Sequence, residues 1–251
     1  NYIVENVRYS SVSFRQSGLI PQKASKVINT RVGDCKDVST LFVALCREAG
    51  IDSARLVLIN TRDNGKKDLL LPSIDFNHCI GNITADGQEY FVELTSDKNG
   101  FGTFPNTLKN AFALKIYDEN EPTSEEPFFL APKTKIPDNI IRNVDVEFKG
   151  KEMLIDIKSL KTGDWASDMR YRYADIPESE RRKKLLQSLS GDNASVKLNS
   201  FSFERLDEIS DSLNYTYNYN LGNATTVITG LNIFSLPWAD KISSISFMSN
   251  E

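Results

Sequence analysis

Histidine is almost absent from this chain of 251 residues, which contains a single one, at position 78. Long apolar runs are also missing, so the sequence predicts no transmembrane segment. Basic residues are not in excess: the formal net charge is -4, which gives no electrostatic footprint for nucleic acid. The sequence contains no P-loop, Rossmann glycine fingerprint or Cys-x-x-Cys pair, and it therefore predicts no cofactor.

Cysteine is scarce too. The count of three is odd, so at least one thiol has no partner within the chain. Cys35 and Cys46 lie in the same predicted helix, separated by about 16 Å at ~1.5 Å per residue, which is too far for a disulfide. We expect no intrachain disulfide.

The segment from Gly33 to Gly50 predicts a helix with a cysteine in its first turn. Asp34 is a favourable N-cap residue, and Gly50 lies where a left-handed C-cap belongs. Apolar residues between them recur at the three-and-four spacing of one buried face: Val38, Leu41, Phe42, Leu45, Cys46 and Ala49. Cys35 therefore lies where free backbone N–H groups and the helix dipole favour a thiolate, the form that attacks carbonyl carbons.

The single histidine lies in a predicted β-hairpin. Asp86-Gly87 separates two β-favouring runs, and Asp-Gly is a strong signal for a two-residue turn. With this turn, Ile80 pairs with Glu93 and His78 pairs with Thr95, so that His78 and Glu93 become diagonal neighbours on one face. A carboxylate beside an imidazole is what a Cys-His site uses to fix the tautomer and stabilise the imidazolium.

Other residues near this histidine could take part in a site. Asp97 shares the parity of Glu93 along the chain and is the alternative orienting acid. Cys79 should face away from His78, because successive strand residues point to opposite faces. A zinc site built from Cys35, His78 and Cys79 is therefore not expected, and no metal is predicted.

Three motifs together point to a known family. The runs Gly33-Asp34-Cys35-Lys36-Asp37, Phe76-Asn77-His78 and Phe91-Val92-Glu93-Leu94-Thr95 resemble the transglutaminase-like core domain of papain-like cysteine enzymes. The similarity is to the bacterial subgroup that reads GDCKD, then NH, then a W-L-D-P-T box. The family's Asp falls on Glu93, and the Trp and Pro of the box fall on Phe91 and Leu94. The resemblance covers about residues 1–120.

The resemblance implies cleavage of an amide or peptide bond through a thioester, with a protein or peptide substrate. Cys35 would be the nucleophile, His78 the acid and base, and Glu93 the orienting residue. The backbone N–H of Cys35 would be one oxyanion donor, and Gln16 or Tyr9 could supply a second. Acyl transfer to an amine remains open. The alternative is a weakly active or inactive binding or scaffold module, motivated by Glu in place of Asp.

We expect an α+β fold with a cysteine-bearing helix packed on an antiparallel sheet, followed by a second, mainly antiparallel β domain. The predicted boundaries are 1–118 for the core, 119–143 for an acidic, proline-containing linker and 144–251 for the β-rich domain. Because the chain begins at Asn1, we expect processing or excision from a longer protein, with export to the bacterial periplasm or cell envelope as one outcome.

Overall fold

The computed structural model describes residues 2–11, 20–64, 75–118, 126–131, 136–190 and 195–234. Its helices are α1 Tyr2–Asn6, α2 Ala24–Thr30, α3 Cys35–Glu48, α4 Asp164–Tyr173 and α5 Glu178–Ser190, with a 3-10 turn at Arg62–Asn64. Its strands are β1 Arg8–Tyr9, β2 Val32–Gly33, β3 Arg55–Asn60, β4 His78–Ala85, β5 Gln88–Val92, β6 Phe112–Ile116, β7 Phe128–Phe129, β8 Ile140–Lys149, β9 Glu152–Thr162, β10 Val196–Glu204, β11 Ser212–Leu221, β12 Thr225–Ile228 and β13 Leu231–Phe234.

The described residues fall in two compact units. The first lies within Asn1–Asn139, Thr162–Tyr171 and Ile209–Ser212, and the second within Ile140–Lys161, Arg172–Glu208 and Leu213–Glu251. Both units combine helices with antiparallel sheet, which confirms the expected α+β class.

The first unit is built on a five-stranded antiparallel sheet with the order β5-β4-β3-β6-β7. The hairpin of β4 and β5 has the predicted register, from Ala85 opposite Gln88 to Gly81 opposite Val92. Asp86 and Gly87 form its turn with φ angles of 51° and 72°. These left-handed values are the ones that a two-residue hairpin turn requires.

Helix α3 packs on β4, and a glycine makes the close approach possible. A Cβ atom added to Gly81 would lie 2.4 Å from a ring carbon of Phe42. Since strand residues alternate, Gly81 and Cys79 face α3 while Ile80 faces the opposite side.

Side chains of α1, α2, α3 and the loop after β5 form one core cluster: Ile3, Val7, Val27, Val38, Leu41 and Leu94. A second cluster contains Val57, Ile59, Ile80, Phe104, Leu108, Ala111, Ala113 and Leu130.

Strand pairing and a backbone hydrogen bond hold the N-terminal segment beside the start of α3. Strand β1 runs parallel to β2, with Tyr9 opposite Gly33, and the Ser10 N–H donates to the Gly33 carbonyl at 2.9 Å. Gly50 follows the end of α3 with a φ of 83°, as expected for a left-handed C-cap. The N-terminal end of the cysteine helix is thus fixed beside the chain's first strand.

The second unit contains a four-stranded antiparallel sheet with the order β10-β11-β9-β8, and β12 pairs with β13. Strands β9 and β11 alternate buried and less buried residues along most of their length, as strands with one buried face do. Helix α4, most of which belongs to the first unit, was not predicted, because its sequence has no continuous apolar stripe.

The segment predicted as a linker contains regular structure in its described part. Phe128–Phe129 forms β7 and pairs with β6, although acidic and proline residues surround it. Strand β8 begins at Ile140, four residues before the predicted domain start. The compact units are also discontinuous in sequence, whereas the predicted domains are continuous.

Candidate active site

The first turn of α3 is closed by a reciprocal capping box. The Asp34 carboxylate accepts a hydrogen bond from the Asp37 N–H at 3.2 Å, and the Asp37 carboxylate accepts one from the Asp34 N–H at 3.2 Å. Lys36 forms an ion pair with Asp34. These interactions start the helix at Cys35, whose N–H therefore belongs to the first turn, where N–H groups lack intrahelical acceptors.

Asp37 also binds the segment that precedes α2. Its Oδ1 accepts from the Gln22 N–H at 2.6 Å, and its Oδ2 accepts from the Gln22 side-chain Nε2 at 2.7 Å. Both side chains are buried. Asp37 therefore joins a distant piece of chain to the turn that carries Cys35.

The histidine is held at the start of β4 by the residue before it. Asn77 accepts a hydrogen bond from the Thr61 N–H at 2.9 Å and donates one from Nδ2 to the Thr61 hydroxyl at 2.7 Å. The Asn77 N–H donates to the Ile59 carbonyl at 3.0 Å. This clamp fixes the backbone at His78 relative to the neighbouring strand β3.

His78 and Glu93 are in direct contact. The distance between His78 Nε2 and Glu93 Oε2 is 2.7 Å, and the two side chains are 14% and 3% exposed. The other carboxylate oxygen, Oε1, accepts hydrogen bonds from the Thr95 N–H and the Thr95 hydroxyl, each at 2.7 Å. Every oxygen of this buried carboxylate is therefore hydrogen-bonded, as a buried charge requires.

The side chain of Cys35 lies close enough to His78 to help raise the pKa of the imidazole. Because Glu93 occupies Nε2, Nδ1 is the ring nitrogen left for the thiol. The residue Cys35 is partly exposed. Cys35, His78 and Glu93 thus lie in one chain of contacts.

This chain of contacts favours an ion pair. Burial alone would lower the pKa of His78, but hydrogen bonds to Cys35 and Glu93, together with their negative charges, raise it to about 10. Burial alone would raise the pKa of Glu93, but His78 and Thr95 lower it below its ordinary value. At neutral pH the imidazole is therefore protonated and the carboxylate ionised.

Tyr9, one of the two side chains suggested as oxyanion donors, lies near these groups. Burial raises its pKa to about 12, and the negative charges of Cys35, Glu93 and Asp34 act in the same direction. The phenol therefore keeps its proton at neutral pH and can donate a hydrogen bond. Gln16, the other suggested donor, lies outside the described residues.

The alternative acid, Asp97, has no contact with His78 in the described structure. Its side chain is 60% exposed and pairs with Lys98 at 3.2 Å. The parity of Asp97 matches that of Glu93, but the chain has left the sheet by that point, since β5 ends at Val92. Glu93 is the carboxylate that contacts the histidine.

The other two cysteines are free thiols with environments unlike that of Cys35. Burial raises the pKa of Cys46. Cys79 is buried on the face of β4 that meets α3, and its pKa is raised to about 12, chiefly by that burial. The Ser39 hydroxyl donates to the Cys79 carbonyl at 3.1 Å and ties this strand to the helix.

Within the described ranges, no group of three or more His, Cys, Asp or Glu side chains is arranged to hold a metal ion. In the same ranges, no helix combines the length and apolarity needed to cross a bilayer.

Two residues that support the site were not identified from sequence. Thr61 and Gln22 lie sixteen and fifteen positions from their partners Asn77 and Asp37. Neither belongs to a local motif, so only the folded chain reveals them.

Comparison with known proteins finds a match for the N-terminal part of the chain. Residues 1–102 match the family model described as the transglutaminase-like superfamily. A solved structure from Parabacteroides distasonis, named a "putative protease", aligns with 9% identity and a TM-score of 0.35 over 88% of this chain. The alignment spans 44% of that protein's length. Among curated proteins, none matches the sequence significantly. The N-terminal region 1–102 of this chain is therefore similar to the transglutaminase-like superfamily.

Proposed function

We propose that Cys35, His78 and Glu93 form the catalytic triad of a hydrolase that cleaves amide or peptide bonds through a thioester. The observation that carries this proposal is the contact of Glu93 with Nε2 of His78 at 2.7 Å, in a place where Cys35 is near enough to raise the pKa of the same imidazole. The superfamily that residues 1–102 match includes cysteine peptidases, which supports the same class of chemistry.

In the first half-reaction the Cys35 thiolate attacks the carbonyl carbon of the substrate, and the carbonyl oxygen becomes an oxyanion. The Cys35 N–H at the start of α3 donates to that oxygen, and the protonated phenol of Tyr9 is the candidate second donor. His78 then gives its Nδ1 proton to the leaving nitrogen. The C–N bond breaks, an amine departs, and a thioester remains on Cys35.

In the second half-reaction His78, now neutral, removes a proton from water, and the hydroxide attacks the thioester carbonyl. The thiolate leaves, the acid product is released, and the imidazolium is restored. Glu93 stays ionised throughout and keeps His78 in the productive orientation. An amine in place of water would give a new amide. We favour water because it is the default acceptor.

The first experiment compares the three thiols. Iodoacetamide at pH 7 should label Cys35 much faster than Cys46 and Cys79. The pKa values of the Cys46 and Cys79 thiols are raised, and neither thiol has an imidazole partner among the described residues. Peptide mass spectrometry reports all three rates in one sample.

The second experiment tests acyl transfer. With p-nitrophenyl acetate, the protein should release a burst of p-nitrophenolate and carry acetyl on Cys35. Cys35→Ala should show no burst. Slow and equal labelling of the three thiols, with no burst from the native protein, would contradict the proposal and favour a binding or scaffold module.

A further inference from the structure

The Glu93 side chain, which binds His78, loses more conformational freedom on being fixed than an aspartate side chain would. Glu93 has one methylene more than Asp, so one additional torsion must be fixed before its oxygens can hold an imidazole. Two donors act on a single oxygen of this side chain. The Thr95 N–H and the Thr95 hydroxyl both donate to Oε1 at 2.7 Å, which leaves Oε2 for His78.

The loop that carries these donors is itself anchored. Leu94, between Glu93 and Thr95, is buried in the core cluster that includes Val38 and Leu41 of α3. Burial of Leu94 fixes the backbone next to Glu93, while the Glu93 side chain contacts His78. The backbone N–H of Thr95 then meets Oε1 two residues away, and the hydroxyl adds a second bond that depends on the side chain of Thr95 alone.

We propose that Thr95 is a positioning residue whose hydroxyl holds Glu93 in the orientation that binds Nε2 of His78. The consequence for catalysis rests on the proposed triad. The consequence for the protonation of His78 does not, because it follows from the position of the Glu93 carboxylate.

The groups that act on the charge of His78 are few. Cys35 and Glu93 are the two that raise its pKa, and the phenol of Tyr9 senses both of them. Thr95 carries no charge, so replacing it can change the titration of His78 only through the position or ionisation of its neighbours. A shift in that titration therefore reports the proposed role and not a general loss of stability.

The single histidine makes the test direct, because the protein has one imidazole Cε1–H signal to follow by NMR. We compare Thr95→Val, which removes the hydroxyl at nearly constant size, with Thr95→Ser, which retains it. Thr30→Val is the matched control: it removes a hydroxyl that bonds the Lys26 carbonyl at 3.0 Å in α2.

In Thr95→Val the pKa of His78 should fall by about one unit, because the imidazolium loses a well-oriented carboxylate. Thr95→Ser should titrate close to the native protein, and Thr30→Val should not differ from it. A native pKa in Thr95→Val would overturn the proposal, and so would an equal shift in Thr95→Ser. If Thr95→Val does not fold, Thr95→Ala removes the same hydroxyl without placing a methyl group beside Oε1.

The outcome is separable from that of the proposed function. A lowered pKa in Thr95→Val, together with a native protein that forms no acyl-enzyme, would support the positioning role and remove the triad assignment. An active native protein with an unshifted Thr95→Val titration would do the reverse.

Discussion

The change Glu93→Gln tests the centre of the proposed site, because it keeps the size of the side chain and removes its charge. In the native protein one carboxylate oxygen of Glu93 is hydrogen-bonded to His78, and the other accepts two hydrogen bonds from Thr95. Glutamine has only one acceptor oxygen, and its NH2 group donates. The amide cannot satisfy both sides at once.

Either orientation of the amide damages the site. If its oxygen faces Thr95, the NH2 group faces Nε2 of His78 and selects the tautomer with the proton on Nδ1, which cannot accept a proton from Cys35. If its oxygen faces His78, the NH2 group meets the two donors of Thr95 in a nearly fully buried place. Both arrangements withdraw the negative charge that raises the pKa of His78.

The expected loss of alkylation rate in Glu93→Gln depends on the interactions that Cys35 keeps. The corresponding loss in a serine triad costs on the order of 10⁴ in rate. Here Cys35 keeps the N-terminal end of α3, and this partly stabilises a thiolate without the third residue. We therefore expect the rate of Cys35 alkylation near neutral pH to fall by about 10 to 10³.

The assay is iodoacetamide labelling followed by peptide mass spectrometry, with Cys46 and Cys79 as internal references in each sample. Asp97→Asn is the matched control, since Asp97 is mostly exposed and pairs with Lys98. Its alkylation rate should equal that of the native protein. An unchanged rate in Glu93→Gln together with a fall in Asp97→Asn would refute the reasoning and transfer the orienting role to Asp97.

Two further predictions concern the framework of the site. Asp37→Asn should lower the free energy of unfolding, measured in urea, by about 1 to 3 kcal/mol, because an amide cannot accept both donors of Gln22. The same change should slow the labelling of Cys35. Equal stability of this variant and the native protein would contradict the anchoring role of Asp37. Gly81→Ala should cost about 1 to 3 kcal/mol, because its Cβ would overlap a ring of α3 at 2.4 Å. Gly100→Ala is its control, with the nearest atom at 3.6 Å, and similar losses in both variants would show that the close approach is not the cause.

Much of the local structure can be read from short stretches of sequence. Asp34 and Gly50 mark the ends of α3 because helix ends need a side-chain acceptor and a left-handed residue, and both requirements are met within a few positions. The Asp86-Gly87 turn determines the register of β4 and β5 because a two-residue turn leaves one way to pair the strands. This register alone puts His78 and Glu93 on the same face.

The tertiary structure decided the questions that depend on residues far apart in the chain. Asp97 shares the parity of Glu93, and only the end of β5 at Val92 shows that the chain turns away before Asp97 can contact His78. Thr95 follows Glu93 by two residues, yet its double hydrogen bond to Oε1 depends on Leu94 being buried against α3.

The approach of Cys35 to His78 also depends on the tertiary structure. Local signals place one residue at a helix start and the other in a hairpin, but they do not bring the two together. Packing of α3 on β4 does so, and it requires Gly81 to admit the Phe42 ring and Ser39 to bond the Cys79 carbonyl. Periodicity and capping act over a few residues, so the sequence by itself determined helix α3, the hairpin of β4 and β5, and the faces of these elements. The meeting of thiol, imidazole and carboxylate depends on close packing between elements, which only the folded chain specifies.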